Sequence, residues 1–264
     1  MHRKPSHPLR ILPIIFLLII SVFLGGCGAD TYTIESQALS AYNSSAGNSF
    51  GNEVDLLVLV NPWNSLDRSY RPILLRYTDE HWLDRRAMPD FLEMISGCRE
   101  AGGDPYIVSA YRSYYEQMEL YEAKVLKLMG AGMDEELARS EAARSVAVPG
   151  TSEHQLGLAV DIVDANYGYL DESQAYTPTQ QWLMEHSWRY GFILRYPVDK
   201  SEITGIIYEP WHYRYVGKEA AEDIYESGLC LEQWLEEKEE MERFMRSIRP
   251  EKSAGKWEIL PMIS

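Results

Sequence analysis

Short apolar runs alternate with longer stretches of helical periodicity along this chain, and this alternation limits the folds open to it. Apolar runs bounded by Asn, Pro or Gly are typical of strands, whereas apolar residues three and four positions apart are typical of helices. The predicted strands are Val54–Val60, Tyr106–Ala110, Leu158–Val163 and one that ends at Ile206–Tyr208. The predicted helices are Met88–Arg99, Ser113–Gly130, Asp134–Arg144, Thr179–Tyr190 and Gly217–Met245, with a break at Gly228. Short strands flanked by helices predict an α+β fold rather than a doubly wound parallel sheet.

The second predicted helix has the clearest start signal. Ser113 and Glu116 have the spacing of a capping box, in which each side chain bonds the backbone N–H of the other residue. The apolar stripe that follows predicts buried side chains at Met118, Tyr121, Val125, Leu128 and Met129. No glycine-rich phosphate loop is present, because the pair Gly102-Gly103 is followed by Asp-Pro and predicts a turn.

Composition and charge exclude one class of partner. The chain has 264 residues, 45% of them apolar, which is enough for one sizeable core. Its formal net charge is −15. Binding to nucleic acid requires clustered positive charge, so a nucleic-acid partner is excluded. An acidic surface is not attracted to anionic lipid either, so attachment to a membrane would need a separate device.

The N-terminus has the features of an export signal. Three basic residues precede the apolar run Ile11–Leu24, and Gly25-Gly26-Cys27 follows. The segment resembles a bacterial lipoprotein signal (residues 1–26) with Cys27 as the lipidated residue; an uncleaved anchor and a plain signal are the alternatives. We therefore expect an extracytoplasmic protein, lipid-anchored to the bacterial cell membrane and monomeric. Residues 27–52 are predicted to be a flexible tether, 53–250 the folded domain and 251–264 a tail.

Two further cysteines carry no catalytic signature. Cys98 lies on an apolar helical stretch, where a buried free thiol is the ordinary outcome. Cys230 could pair with it in an oxidising compartment, but two cysteines do not make a disulfide framework. The sequence leaves this pairing open.

Two polar clusters carry the chemistry. His154 and Asp161 lie in the first cluster, and Glu209 and His212 lie in the second. Two histidines and one carboxylate are a zinc-type ligand set that leaves one coordination position open. Glu209 could then act as an unligated general base, which is the division of labour that metal-assisted hydrolysis requires. From spacing alone, structural histidines and a carboxylate that forms a turn remain alternatives.

The clusters and their surroundings resemble the VanY type of D-alanyl-D-alanine carboxypeptidase. The resemblance covers about Leu56 to Leu235 and does not extend to the signal, the tether or the tail. Its main motifs are Ser109-Ala110-Tyr111-Arg112-Ser113, Pro149-Gly150-Thr151-Ser152-Glu153-His154-Gln155-Leu156-Gly157-Leu158-Ala159-Val160-Asp161 and Tyr208-Glu209-Pro210-Trp211-His212-Tyr213-Arg214-Tyr215-Val216-Gly217. Gly191–Pro197 and Leu231–Leu235 add weaker support. Ala110 stands where many relatives have glycine.

The resemblance implies a fold, a cofactor and a set of roles. The implied fold is a small antiparallel sheet flanked by helices, with a zinc site in a cleft. The implied zinc ligands are His154, Asp161 and His212, and the implied general base is Glu209, which activates zinc-bound water. Arg112 would face the substrate, either stabilising the oxyanion or anchoring the terminal carboxylate, and Ser152 and Gln117 would lie near that carboxylate. Glu153 is left out, because strand-like alternation would point it away from the site.

The implied activity is hydrolysis of the terminal D-alanine from peptidoglycan stem peptides ending in D-Ala. An L,D-carboxypeptidase acting on tetrapeptide stems is the nearest alternative, followed by an endopeptidase that cuts within the stem. A non-catalytic cell-wall-binding module is the alternative from a different class, and the complete set of two histidines and two carboxylates argues against it. A purely structural zinc site is disfavoured, because such sites are usually four-coordinate and use cysteine.

Overall fold

The computed structural model describes residues 54–248, and its centre is a pair of antiparallel sheets. Strands β1 (Leu74–Arg76) and β2 (Trp82–Asp84) form a small hairpin. Strands β3 (Pro105–Ser109), β4 (Ala159–Asp164), β5 (Phe192–Leu194) and β6 (His212–Tyr215) form the larger sheet in the order β3-β4-β6-β5, and all of its pairings are antiparallel. The predicted α+β fold with a small antiparallel sheet is confirmed.

Helices surround the larger sheet. They are α1 (Met88–Glu100), α2 (Tyr114–Gly130), α3 (Glu135–Ala143), α4 (Pro178–His186), α5 (Ser201–Thr204), α6 (Lys218–Ser227) and α7 (Leu231–Ile248). Short 3-10 helices span Glu153–Leu156, Glu172–Tyr176 and Ser187–Tyr190. The predicted capping box forms at the start of α2, and Gly228 ends α6 with a φ of 66°. No helix within residues 54–248 is both long enough and apolar enough to cross a membrane.

Side chains on the two faces of the sheet have different roles. Val160 and Ile162 of β4 and Tyr213 of β6 pack into the main core, where α1 contributes Phe91 and Ile95. Successive side chains along a strand point to opposite faces. The alternate residues of β4 and β6, including Asp161, His212 and Arg214, are therefore presented on the other face, where all three are buried.

Two predicted strands are wrong. Within residues 54–248, Val54–Val60 pairs with no strand; three of its carbonyl groups instead accept hydrogen bonds from arginine side chains. Arg214 Nη2 donates to the Leu56 and Val58 carbonyls at 2.7 and 3.0 Å. The predicted strand at Ile206–Tyr208 is a loop, and its backbone N–H at residue 207 donates to the Arg144 carbonyl rather than to a strand.

The predicted buried stripe of α2 is confirmed only in part. Tyr121 and Val125 are buried against α3, and Leu128 is partly buried there. Met118 and Met129 are 39% and 38% exposed, so they lie outside the buried face of α2. The signal (1–26), the lipidation site Cys27, the tether (27–52) and the tail (251–264) lie outside the described residues.

Candidate metal centre and active site

Strand pairing brings Asp161 and His212 together. In the register of β4 and β6 the two residues stand opposite each other, although 51 positions separate them in the chain. His212 Nδ1 lies 3.0 Å from Asp161 Oδ1. The neighbouring residues hold the two strands in the same register, because the Ile162 N–H donates to the Trp211 carbonyl at 2.9 Å.

A tight turn brings His154 to the same place. The 3-10 helix Glu153–Leu156 ends at Gly157, whose φ of 71° turns the chain into β4. His154 Nδ1 donates to the Ala110 carbonyl at 2.6 Å, since a carbonyl oxygen can only accept. His154 Nε2 is therefore the unprotonated nitrogen, and it lies 3.2 Å from Asp161 Oδ2. Ala110 has no positive φ, so the backbone at this position does not require glycine.

The donor atoms of these three residues fit a zinc ion. One ligand atom from each of His154, Asp161 and His212 lies within 4.8 Å of the other two, and all three residues are buried. Zinc donors bound in a tetrahedron at about 2.0–2.2 Å stand roughly 3.3–3.6 Å apart, and a set of donor atoms that all lie within 4.8 Å of one another can close to that spacing around an ion. Two imidazoles and one carboxylate are also the donor set of catalytic rather than structural zinc sites.

The two imidazoles differ in their affinity for protons. Burial and the nearby Arg112 guanidinium lower the pKa of His154 to about 4. Burial also opposes a proton on His212, but its contacts with Asp161 and Glu153 outweigh burial and raise its pKa to about 9. The surroundings of the two rings thus shift their pKa values in opposite directions.

Glu209 lies beside the cluster and is not one of its three members. It precedes β6 in a loop whose backbone is held by a hydrogen bond from the Glu209 N–H to the Tyr196 carbonyl at 3.2 Å. Its Oε2 atom is 3.9 Å from His212 Nδ1. Burial raises the pKa of this carboxyl to about 8. A carboxyl group with a raised pKa next to a metal site is suited to accept and return a proton near neutral pH.

The cluster opens into a cleft of about 360 Å³, which is large enough for the end of a peptide. Arg112, Ser152 and Glu209 line this cleft together with apolar side chains of the surrounding loops. Arg112 Nη1 donates to Ser109 Oγ at 2.8 Å and lies 3.8 Å from Asp161 Oδ2.

Gln117 lies one layer behind the cleft. Its Oε1 atom accepts a hydrogen bond from Arg112 Nε at 3.1 Å, and its Nε2 atom donates to the Ala147 carbonyl at 2.6 Å. The side chain is only 1% exposed and does not line the cleft. The structure therefore connects Gln117 to the site through Arg112.

Glu153 does belong to the surroundings of the site, and its exclusion on the basis of sequence was wrong. The expected strand alternation does not apply, because Glu153 begins a 3-10 helix. Its carboxylate is buried between Arg195 Nε at 2.7 Å and Arg214 Nη1 at 2.8 Å, with Oε2 at 3.6 Å from His212 Nε2. The sequence signal for this role of Glu153 is the presence of Arg195 and Arg214 within apolar and aromatic runs. A buried arginine needs an acidic partner.

Comparisons with known proteins agree with this arrangement. Residues 80–218 match the family described as "VanY: D-alanyl-D-alanine carboxypeptidase". A D-alanyl-D-alanine carboxypeptidase of Enterococcus faecalis is 45% identical over 179 residues, which is 68% of this chain. The match spans 65% of that relative, just under two thirds of its length.

Solved structures give the same result. A VanY D,D-pentapeptidase mutant in complex with Zn(II) and VanYB in complex with D-alanine-D-alanine are each 43% identical to this chain, with a TM-score of 0.62. The matches cover 68% of this chain and 98% and 97% of those chains. The L,D-carboxypeptidase LdcB is 36% identical with a TM-score of 0.61, over 69% of this chain and 86% of its own. By family match and by structural similarity, this chain belongs to the VanY family of D-alanyl-D-alanine carboxypeptidases.

Proposed function

We propose that this protein is a zinc-dependent carboxypeptidase that removes the terminal D-alanine from peptidoglycan stem peptides ending in D-Ala-D-Ala. The observation that carries the proposal is the buried group His154, Asp161 and His212, with Glu209 beside it at the base of an open cleft. The similarity to VanYB, whose structure contains D-alanine-D-alanine, supports the choice of substrate.

The three buried side chains would hold Zn²⁺ through two imidazole nitrogens and one carboxylate oxygen. When bound, zinc supplies Lewis-acid activation of water and of the peptide carbonyl. Glu209 takes the proton of the attacking water and later gives it to the departing amine of D-alanine. Burial keeps Glu209 away from bulk solvent, so its proton is retained for the second transfer.

Arg112 presents positive charge to the substrate in the same cleft. Its guanidinium can bind the terminal carboxylate or the oxyanion that forms during hydrolysis. Ser152 lines the cleft and can donate its hydroxyl proton to the carboxylate. Gln117 supports both roles indirectly, because it accepts a hydrogen bond from Arg112.

The N-terminal segment supports a location outside the cytoplasm. Cys27 follows a basic and apolar signal-like sequence, so lipidation there would anchor a monomeric domain to the outer face of the cell membrane. Such an anchor would keep the enzyme close to its cell-wall substrate. Radiolabelled fatty acid incorporated into wild-type protein and absent from a Cys27→Ala variant would test the anchor.

The similarity to LdcB favours one second candidate, an L,D-carboxypeptidase that removes D-alanine from a tetrapeptide stem. The two activities are separated by incubating zinc-loaded protein from residue 51 onward with a stem pentapeptide or a stem tetrapeptide. Mass spectrometry then follows the loss of one alanine, with a chelator as the control. Loss from the pentapeptide alone supports the D,D activity, whereas loss chiefly from the tetrapeptide replaces it with the L,D activity.

Replacing Glu209 tests the mechanism. We expect Glu209→Gln to lower kcat by about 10²–10⁴-fold, because the amide cannot accept the proton of water. Zinc content, measured by atomic emission, should stay at the wild-type level, because Glu209 is not in the metal-binding group. The exposed Glu202 on α5 provides the matched control, Glu202→Gln. Wild-type turnover in Glu209→Gln would contradict the proposed role.

A further inference from the structure

A buried network of charged side chains links the metal cluster to the C-terminal helix. Glu153 bonds Arg195 and Arg214, and Arg195 also forms a bidentate pair with Glu232 at 2.8 and 2.6 Å. The side chains of Glu153, Arg195 and Arg214 are fully buried. Two arginines balance two glutamates, so the network is neutral as a whole. Such an arrangement is costly to bury and is weak evidence for stability.

The hydrogen bonds of Glu153 are distributed unequally between its two oxygens. Both arginines donate to Oε1, at 2.7 and 2.8 Å. Among the described residues, the buried Oε2 atom accepts no hydrogen bond, and the buried His212 Nε2 atom is equally without a partner. These two atoms face each other at 3.6 Å. A buried donor and a buried acceptor left over at this distance satisfy each other after a shift of a few tenths of an ångström.

We propose that Glu153 is a positioning residue that keeps the proton of His212 on Nε2 and so leaves Nδ1 as the metal-binding nitrogen. The inference rests on the proposed zinc function. His212 Nδ1 is the nitrogen that faces the cluster, at 3.0 Å from Asp161 Oδ1. An acceptor behind a ligating imidazole sets both its tautomer and the orientation of its ring.

The two histidines of the cluster would then carry opposite tautomers. His154 donates from Nδ1 to the Ala110 carbonyl and binds through Nε2. His212 donates from Nε2 to Glu153 and binds through Nδ1. A backbone carbonyl fixes the first ring and a carboxylate fixes the second, and both are common partners of metal-binding histidines. The Glu153–His212 pair therefore has the same relation to the metal as the Ala110–His154 pair.

The arginines determine which substitution is informative. In Glu153→Gln the amide oxygen must occupy the Oε1 position, because Arg195 and Arg214 are donors only. The amide NH₂ group then faces His212 Nε2 and donates to it. That contact favours the tautomer with the proton on Nδ1, which cannot bind a metal through that atom.

The experiment measures zinc affinity by chelator competition and the histidine tautomers by long-range ¹H–¹⁵N spectra of zinc-loaded protein. In wild-type protein we expect one cluster histidine bound through Nε2 and one through Nδ1. We expect Glu153→Gln to weaken zinc binding by about 10–100-fold. In its spectra, the signal of a cluster histidine that carries its proton on Nε2 should disappear. Glu232→Gln changes the same network without touching His212, and it should leave zinc affinity and tautomers unchanged.

The outcomes separate this inference from the function on which it rests. Wild-type protein that binds no zinc would overturn both. Wild-type protein that binds zinc through Nε2 of both cluster histidines would overturn only the role of Glu153, and this measurement needs no variant to fold. The role of Glu153 would also be overturned if the Glu153→Gln variant bound zinc as tightly as wild type and its two cluster histidines kept the wild-type tautomers. Circular dichroism establishes that the variants are folded before their affinities are compared.

Discussion

Arg112 is held at the active site mainly by neutral side chains. Ser109 and Gln117 fix its guanidinium by hydrogen bonds of 2.8 and 3.1 Å, while its nearest carboxylate oxygen, on Asp161, is 3.8 Å away. Because no carboxylate within residues 54–248 pairs with it in a bidentate manner, the guanidinium keeps bonding capacity for a negatively charged group of the substrate.

Substitution by lysine tests whether the arginine fork is used. We expect Arg112→Lys to lower kcat/KM by about 10–100-fold, because one charge-assisted hydrogen bond is worth about 1.5–3 kcal/mol. Steady-state kinetics on the pentapeptide assigns the role, since a rise in KM indicates a carboxylate anchor and a fall in kcat indicates oxyanion stabilisation. Arg139→Lys is the control, because Arg139 bonds Glu122 and Glu135 away from the cleft. Unchanged kcat/KM in Arg112→Lys would remove Arg112 from the mechanism.

Among the elements of the fold, the turn between His154 and Asp161 depends on one glycine. Gly157 has a φ of 71°, its N–H donates to the His154 carbonyl and its own carbonyl accepts from the Asp84 N–H. A Cβ atom on Gly157 would lie 2.9 Å from Leu74 Cδ2 and 3.0 Å from the Asp84 nitrogen. Both the backbone conformation and the close approach of the β1–β2 hairpin therefore require glycine.

Alanine substitutions at two glycines separate the effect of the positive φ from the effect of close packing. Gly228 also has a positive φ, of 66°, but a Cβ atom added there would have no neighbouring atom within 4 Å. We expect Gly228→Ala to cost about 1 kcal/mol of unfolding free energy and Gly157→Ala about 2–4 kcal/mol, because overpacking adds to backbone strain. Urea denaturation measures both values. Equal losses would show that close packing at Gly157 contributes nothing.

Helices were predicted better than strands. The capping box at Ser113 and the break at Gly228 are local signals, and both are confirmed. Strands β5 and β6 are only three and four residues long and were missed, because so short a strand exists only through its partners. The run Val54–Val60 shows the opposite error, since arginine side chains satisfy the carbonyls that a neighbouring strand would otherwise have bonded.

In the molecule as a whole, the part of the domain that the structure describes packs on α7 at its beginning, over Leu231–Leu235. Leu231 and Trp234 are buried, and Glu232 reaches Arg195 next to the metal cluster. Beyond this turn the apolar side chains are largely solvent-exposed, with Met241 at 61% and Phe244 at 58%. The stabilising part of α7 is therefore confined to its beginning.

Two truncations test this division. We expect a chain that ends at Glu240 to keep the wild-type melting temperature and zinc affinity. A chain that ends at Leu229 removes Glu232 and leaves Arg195 with one carboxylate, so it should lose about 3–5 kcal/mol of stability, or roughly 6–20 °C in Tm. Differential scanning calorimetry with zinc present measures both. Similar losses in the two chains would mean that the exposed half of α7 also carries stability.

Features that depend on neighbouring residues could be predicted from the sequence. The α+β class, the main helices and the grouping of His154 with Asp161 and of Glu209 with His212 all follow from signals within about a dozen positions. The free, buried state of Cys98, which its apolar helical surroundings predicted, is also found in the structure. Such features are predictable because helix periodicity and capping are set within a few turns of the chain.

Contacts between distant residues could be seen only in the folded structure. Asp161 stands beside His212 because β4 pairs with β6 in one register. Glu153 lies behind His212 because Arg195 and Arg214 enclose its carboxylate. Neither contact can be predicted from a local sequence pattern. The free energy that selects it comes from burying and pairing groups about 40 to 60 residues apart.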